Sequence, residues 1–301
     1  MLITGVVSVL PTPFRAGGDV DHPSLARLVD AVVAAGVQAV SVLGPAGETS
    51  RMTERERLAV VDTVTSHAAG RLPVFVDTSS DGVRTCLEFS RQVKTLGAAA
   101  AVISPPRAQR LSVESVVNHY RAVAEALDLR IVVQDAPTQC GVTMDAGLLL
   151  RIAREVPAAR TIRLEDPPTS IKISRILAAA GETRVGVLGG QGGLFLIEDL
   201  MAGAAGVASA FAYPETIAQV VTLFREDRID EASDAFHRVV PLMRFENQEG
   251  IGTAVRKEMW RRRGVFTDAS TRAPGFVLDE GTRAAVDRLI ARVIAREGLT
   301  L

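Results

Sequence analysis

The sequence predicts an α/β chain: a (β/α)8 TIM barrel over residues 1–226, followed by a C-terminal helical extension over 227–301 packed on the barrel. Three observations predict it. Eight short runs rich in β-branched residues recur along the chain. They are mostly spaced by roughly 20–35 residues, the period of a βα unit. Longer amphipathic stretches fill the intervals, as a parallel sheet with crossover helices requires. The candidate strands are Gly5–Leu10, Ala39–Leu43, Val74–Thr78, Ala99–Ser104, Arg130–Gln134, Arg160–Leu164, Val185–Gly189 and Gly206–Ala210. Helix-start signals sit between them. Asp21 precedes His22 and Pro23, an N-cap with proline in the first turn. Thr53 and Glu56 have capping-box spacing. Asp145 and Pro214 open two further helices, and helical stretches near Ile229–Asn247, Ile251–Arg263 and Glu280–Glu297 follow the eighth unit. A doubly wound open sheet fits eight evenly spaced strands less well, and the chain has no dinucleotide fingerprint.

Composition narrows the function. The 301 residues are 47% hydrophobic and 23% charged, with a net charge of −1. That is enough apolar sequence for one large core, and it offers no basic field for nucleic acid or an anionic membrane. No charged stretch leads into an apolar run at the start, and no segment has membrane-span character. The two cysteines, Cys86 and Cys140, lack metal-ligand spacing, so a reducing cytoplasmic location is expected. The four histidines fall on helical stretches without an H-x-x-x-H pair, and His119 reads as structural. No metal and no cofactor are expected, although Glu48, Asp135, Glu165 and Asp166 are a conceivable acidic set for Mg²⁺. Only three of the 34 basic residues are lysine: Lys94, Lys172 and Lys257.

In a TIM barrel the chemistry lies where strands end and βα loops begin. After the second strand, Gly44-Pro45-Ala46-Gly47-Glu48 offers small residues that let backbone amides approach an anion; Gly44, Ala46 and Gly47 are candidate contacts, with Glu48 read as structural. The fifth strand ends in Gln134 and Asp135, with Gln139, a candidate substrate contact, just beyond. The sixth ends in Arg163, Glu165 and Asp166. Strand alternation puts Arg163 and Glu165 on one side. A guanidinium inside a barrel needs an acidic partner or a bound anion. Glu165, Asp135 and Asp166 are the partners available. Arg163 is therefore either an internal ion-pair plug or an anion clamp. The seventh strand runs into Gly189-Gly190-Gln191-Gly192-Gly193, where Gly189 and Gly190 either cradle a carboxylate or meet a steric need for a close turn.

Taken together these segments resemble the dihydrodipicolinate synthase and N-acetylneuraminate lyase family over nearly the whole chain. Thr12-Pro13-Phe14 is similar to the family's T-P-F after strand one. Gly44-Pro45-Ala46-Gly47-Glu48 stands where the family has G-T-T-G-E. Pro105-Pro106 and His119-Tyr120 fit its fourth unit, and Pro137 and Gly141 fit its Y-N-x-P-x-R-T-G segment. Gly189-Gly190, Gly203-Ala204, Gly206 and Pro214 fit strands seven and eight.

The resemblance implies a Schiff-base lysine on strand six, a tyrosine on strand five and two threonine hydroxyls in the second loop. This chain has Arg163, Gln134, Pro45 and Ala46 at those places, and Gln139 at the motif's arginine. The loop after strand four reads Pro106-Arg107-Ala108, without the family's tyrosine. Guanidinium stays protonated and is barely nucleophilic, and glutamine cannot relay a proton as tyrosine does. Two expectations follow. The first is a lyase-type enzyme, aldolase-like or dehydratase-like, acting on a small 2-oxo acid or related carboxylate without a Schiff base. Arg163, Glu165, Gln134 and Asp135 would form its catalytic set. The second is a non-catalytic relative that binds a small anion or serves as a structural subunit. In either case the resemblance implies a homotetramer or homodimer.

Overall fold

The computed structural model describes residues 2–107 and 111–297. All eight expected strands form: β1 (Gly5–Val9), β2 (Ala39–Val42), β3 (Val74–Asp77), β4 (Ala100–Ile103), β5 (Arg130–Asp135), β6 (Thr161–Leu164), β7 (Gly186–Gly189) and β8 (Gly206–Ser209). Each pairs in parallel with its sequence neighbour, and β1 closes on β8. Strand ends differ from the sequence reading by one residue or so, because pairing stops where the loops turn away.

The helices are α1 (His22–Ala34), α2 (Glu54–Ala68), α3 (Val83–Thr95), α4 (Val113–Ala126), α5 (Pro137–Cys140), α6 (Ala146–Glu155), α7 (Thr169–Ala179), α8 (Leu196–Met201), α9 (Pro214–Arg225), α10 (Ile229–Glu246), α11 (Gly252–Arg262) and α12 (Glu280–Glu297). The capping signals are in place. Asp21 accepts from the Ser24 amide, Asp145 accepts from the Leu148 amide, and Thr53 with Glu56 forms a complete capping box.

Strand parity sorts the side chains. Val7, Val9, Phe75, Val102, Val132 and Leu188 fill the barrel interior, in one cluster. The alternate positions, such as Val133, Ile162, Leu164 and Val187, pack outward against the helices. The C-terminal helices share a hydrophobic core with the eighth unit and the first three: Val239, Leu242, Met243, Val255 and Met259 join Ile217, Val220, Val6, Leu28 and Val40, with α10 packed chiefly along α9. This shared burial seats α10 and α11 over one side of the barrel mouth.

Polar contacts fix the same docking. Glu48, in left-handed backbone at φ 57°, pairs through its carboxylate with Arg51 and with the fully buried Lys257 of α11. Lys257 also donates to the Ser270 carbonyl at 2.9 Å and lies 4.2 Å from the Phe14 ring centre. Burial pushes its ammonium down to about 8, against the pull of Glu48. Glu48 is thus a structural tie between the second loop and the C-terminal helices, as its sequence position suggested.

Candidate functional site

The C-terminal ends of the strands open into two adjoining cavities that share Pro45 and Gln139 on their walls, one of about 240 Å³ and one of about 620 Å³. The smaller is lined by Arg163, Glu165, Gln139 and Ala46 from the barrel, and by Glu246 and Arg256 from α10 and α11. The larger is lined by Gly44, Asp77, Ser79 and Arg107 among others. A further hollow of about 280 Å³ lies between α11 and the 267–278 segment, and no strand-end residue lines it.

Arg163 faces the barrel interior, level with Gln134 on the neighbouring strand. Its Nη2 lies 2.6 Å from Glu165 Oε1. The other Glu165 oxygen accepts from Gln139 Nε2 at 2.8 Å, and the Glu165 carbonyl accepts from Gln191 Nε2 at 2.9 Å. Arg163 Nε is buried and has no hydrogen-bond partner among the described residues. The guanidinium is thus anchored at one edge and has donor capacity left beside the cavity. Gln134 is also buried, and its Oε1 has no partner.

Three sequence expectations need correction. Asp135 does not orient Arg163. It follows Gln134 by one residue, so parity turns it outward, where Oδ2 lies 2.6 Å from Lys172 Nζ of α7. Asp166 shares that ammonium at 2.8 Å. Burial pushes the Asp135 carboxyl up to about 6, against the pull of Lys172. The pair Gly189-Gly190 lines neither mouth cavity. A Cβ at Gly189 would meet Asp199 Oδ2 at 2.4 Å, and one at Gly190 would meet Glu165 Cγ at 2.2 Å. These glycines make room for neighbouring side chains, the steric alternative. Gly47 is buried behind the loop, where a Cβ would meet Thr12 Oγ1 at 3.3 Å, and it lines neither cavity, whereas Gly44, Pro45 and Ala46 do border them.

Several cavity residues escaped the sequence reading. Asp77 ends β3 on the interior side, two residues after the inward Phe75. It accepts from the Ser79 amide at 3.0 Å, and burial raises its carboxyl although Ser79 and the nearby Arg163 pull the other way. The period-two pattern carried that signal. Glu246 and Arg256 lie on helices beyond the barrel, outside the reach of any strand-end rule. Glu246 Oε1 lies 3.1 Å from Arg256 Nε, and both side chains are buried.

The other lysines lie apart from the interior: Lys94 Nζ sits 3.7 Å from Asp128 at the surface, and Lys257 is held by Glu48. Of the loop after β4, Ala108 lies outside the described residues. Among the described residues no group of three or more His, Cys, Asp or Glu is placed to hold a metal ion. No helix there is long and apolar enough to cross a membrane.

Comparison with known proteins agrees with this architecture. Residues 2–293 match the Dihydrodipicolinate synthetase family. L-2-keto-3-deoxyarabonate dehydratase of Azospirillum brasilense is 32% identical over 96% of this chain and 94% of its own length. A 4-hydroxy-tetrahydrodipicolinate synthase of Porphyromonas gingivalis is 28% identical over 97% of this chain and 96% of its own. The crystal structure of dihydrodipicolinate synthase from Rhodopseudomonas palustris superposes with a TM-score of 0.92, at 29% identity over 96% of this chain and 97% of that one.

Proposed function

Since the chain belongs to the dihydrodipicolinate synthetase family, we propose that it is a lyase of aldolase or dehydratase type, acting on a small 2-oxo acid or related carboxylate without an imine intermediate. The observation that carries this reading is Arg163: an interior guanidinium at a strand end, anchored by Glu165 through Nη2 and lining a cavity of about 240 Å³. A guanidinium cannot attack a carbonyl, but it can hold a carboxylate or stabilise an enolate oxygen by charge and hydrogen bonding. The A. brasilense relative is named for dehydration of a 2-keto-3-deoxy acid, which favours that substrate class here. Gln134 lies level with Arg163 in the barrel interior but lines neither cavity, so its part is to pack beside the guanidinium. Asp135 leaves the catalytic set, because its carboxylate faces α7.

Glu165 already accepts from both Arg163 and Gln139. With both oxygens engaged it has none free to meet a substrate proton, and that observation favours the second reading, a family member that binds a small anion without turning it over. Either way we infer a homotetramer or homodimer in the cytoplasm, the latter in keeping with two buried, unpaired cysteines.

Two measurements decide. The protein is incubated with pyruvate and borohydride and its intact mass is read. No adduct is expected, and a stoichiometric adduct on Lys94, Lys172 or Lys257 would overturn the imine-free reading. The protein is then offered 2-keto-3-deoxy sugar acids of five and six carbons. Turnover supports the enzyme, whereas saturable binding without turnover supports the anion binder.

A further inference from the structure

The smaller cavity holds a second charged pair that the Arg163 clamp does not use. Glu246 ends α10 with its side chain wholly buried. Arg256 fixes one of its oxygens at 3.1 Å, while Oε2 has no hydrogen-bond partner. Arg256 also reaches the Glu246 carbonyl, Nη2 to O at 3.5 Å. Both residues line the same cavity as Arg163 and Glu165. With both carboxylates ionised, these four side chains sum to zero charge, so the lining has no net attraction for an anion. With Glu246 neutral the sum is +1.

We propose that Glu246 belongs to the ligand site and works there as a neutral acid, its O–H donating to the carboxylate of the bound ligand. The proposal rests on the reading that a small carboxylate enters this cavity. Two carboxylates in contact cannot both stay ionised at low cost, and a shared proton turns their repulsion into a hydrogen bond. The unpartnered Oε2 is the atom that would carry it, since a buried polar oxygen without a partner is otherwise costly. Burial already pushes the Glu246 carboxyl up to about 7, against the charge and hydrogen bond of Arg256 and the weaker pull of the nearby Ala212 amide, which is not within hydrogen-bond geometry of it.

The groups that face Glu246 are few. Arg256 comes from α11, Arg163 of β6 and Glu165 just after it line the same cavity, and Tyr213, whose charge state Glu246 influences and whose hydroxyl has no partner among the described residues, precedes α9 with Arg263 over its ring. Among the described residues, α8 and α12 bring no charge that moves its titration.

The sign of the linkage follows. Below about pH 7 Glu246 is already protonated, and binding takes up no proton. Above it the free protein is mostly ionised, so each ligand brings one proton in, and affinity falls about tenfold per pH unit. The test is calorimetric titration with pyruvate at pH 6 and pH 8, in two buffers of different ionisation enthalpy. About one proton taken up at pH 8 and none at pH 6 is expected. Glu246→Gln should bind with no uptake and with affinity flat across this range. Binding at pH 8 without uptake, or uptake that persists in Glu246→Gln, overturns the proposal. If the variant does not fold, the wild-type measurement alone decides. Absence of pyruvate binding at both pH values would overturn the carboxylate reading and this proposal with it, whereas binding without uptake removes this proposal alone.

Discussion

Replacing Arg163 by methionine keeps an aliphatic side chain of similar length and removes the charge. The structure sets the expected cost. Nη2 is 2.6 Å from Glu165 Oε1, with the two side chains only 13% and 9% exposed. Removing one member of a well-buried pair costs up to about 3–5 kcal/mol. Here Glu165 keeps the Gln139 donor and borders a cavity that admits water. One charged hydrogen bond, about 1.5–3 kcal/mol, is therefore the better measure of the stability loss. The effect on ligand binding is separate. If two N–H groups of the guanidinium that lines the cavity donate to a carboxylate, two charge-assisted bonds disappear together. At about 1.4 kcal/mol per tenfold, affinity for pyruvate should fall at least about 100-fold. The assay is calorimetric titration beside thermal melting for wild type, Arg163→Met, Glu165→Gln and the double variant. A clamp predicts that Arg163→Met folds and loses binding, while Glu165→Gln keeps most of it. A plug predicts a stability coupling between the two positions with affinity unchanged. A folded Arg163→Met protein that binds pyruvate within twofold of wild type refutes the clamp.

Restoring a lysine should not restore chemistry: Arg163→Lys alone should give little aldolase or dehydratase turnover by an imine, because Gln134 beside it on β5 and Pro45 and Ala46 in the cavity wall remain. Strong turnover with a borohydride-trapped adduct in that single variant would show those positions to be permissive. Gly190→Ala should destabilise by about 1–3 kcal/mol through overpacking and weaken pyruvate binding, since its Cβ would meet Glu165 Cγ at 2.2 Å and the Leu164 carbonyl at 2.9 Å. Wild-type melting temperature and affinity in that variant would show that Glu165 has room to move.

The sequence by itself determined the barrel, because each βα unit carries a local signature: a β-branched run, a cap and an apolar stripe. It also determined that Arg163 and Glu165 share a face, since strand parity depends only on the count of residues between them. The same rule would have turned Asp135 away from Gln134 and marked Asp77 as inward, so those two were legible but unread. What the glycines at 189 and 190 make room for was not legible. A glycine announces close approach, and only packing says that Asp199 and Glu165 are what approaches. Lys172 was equally opaque, because a long side chain on a helix finds its partners across the barrel wall, at Asp135 and Asp166. Tertiary structure alone brought Glu246 and Arg256 to the cavity. They lie 82 and 92 residues beyond the end of the sixth strand at Leu164, on helices whose own periodicity records only which face is apolar. Burial of that face, for α10 chiefly against α9, swings the ends of α10 and α11 over the barrel mouth, and no local pattern encodes where a docked helix will place its last carboxylate.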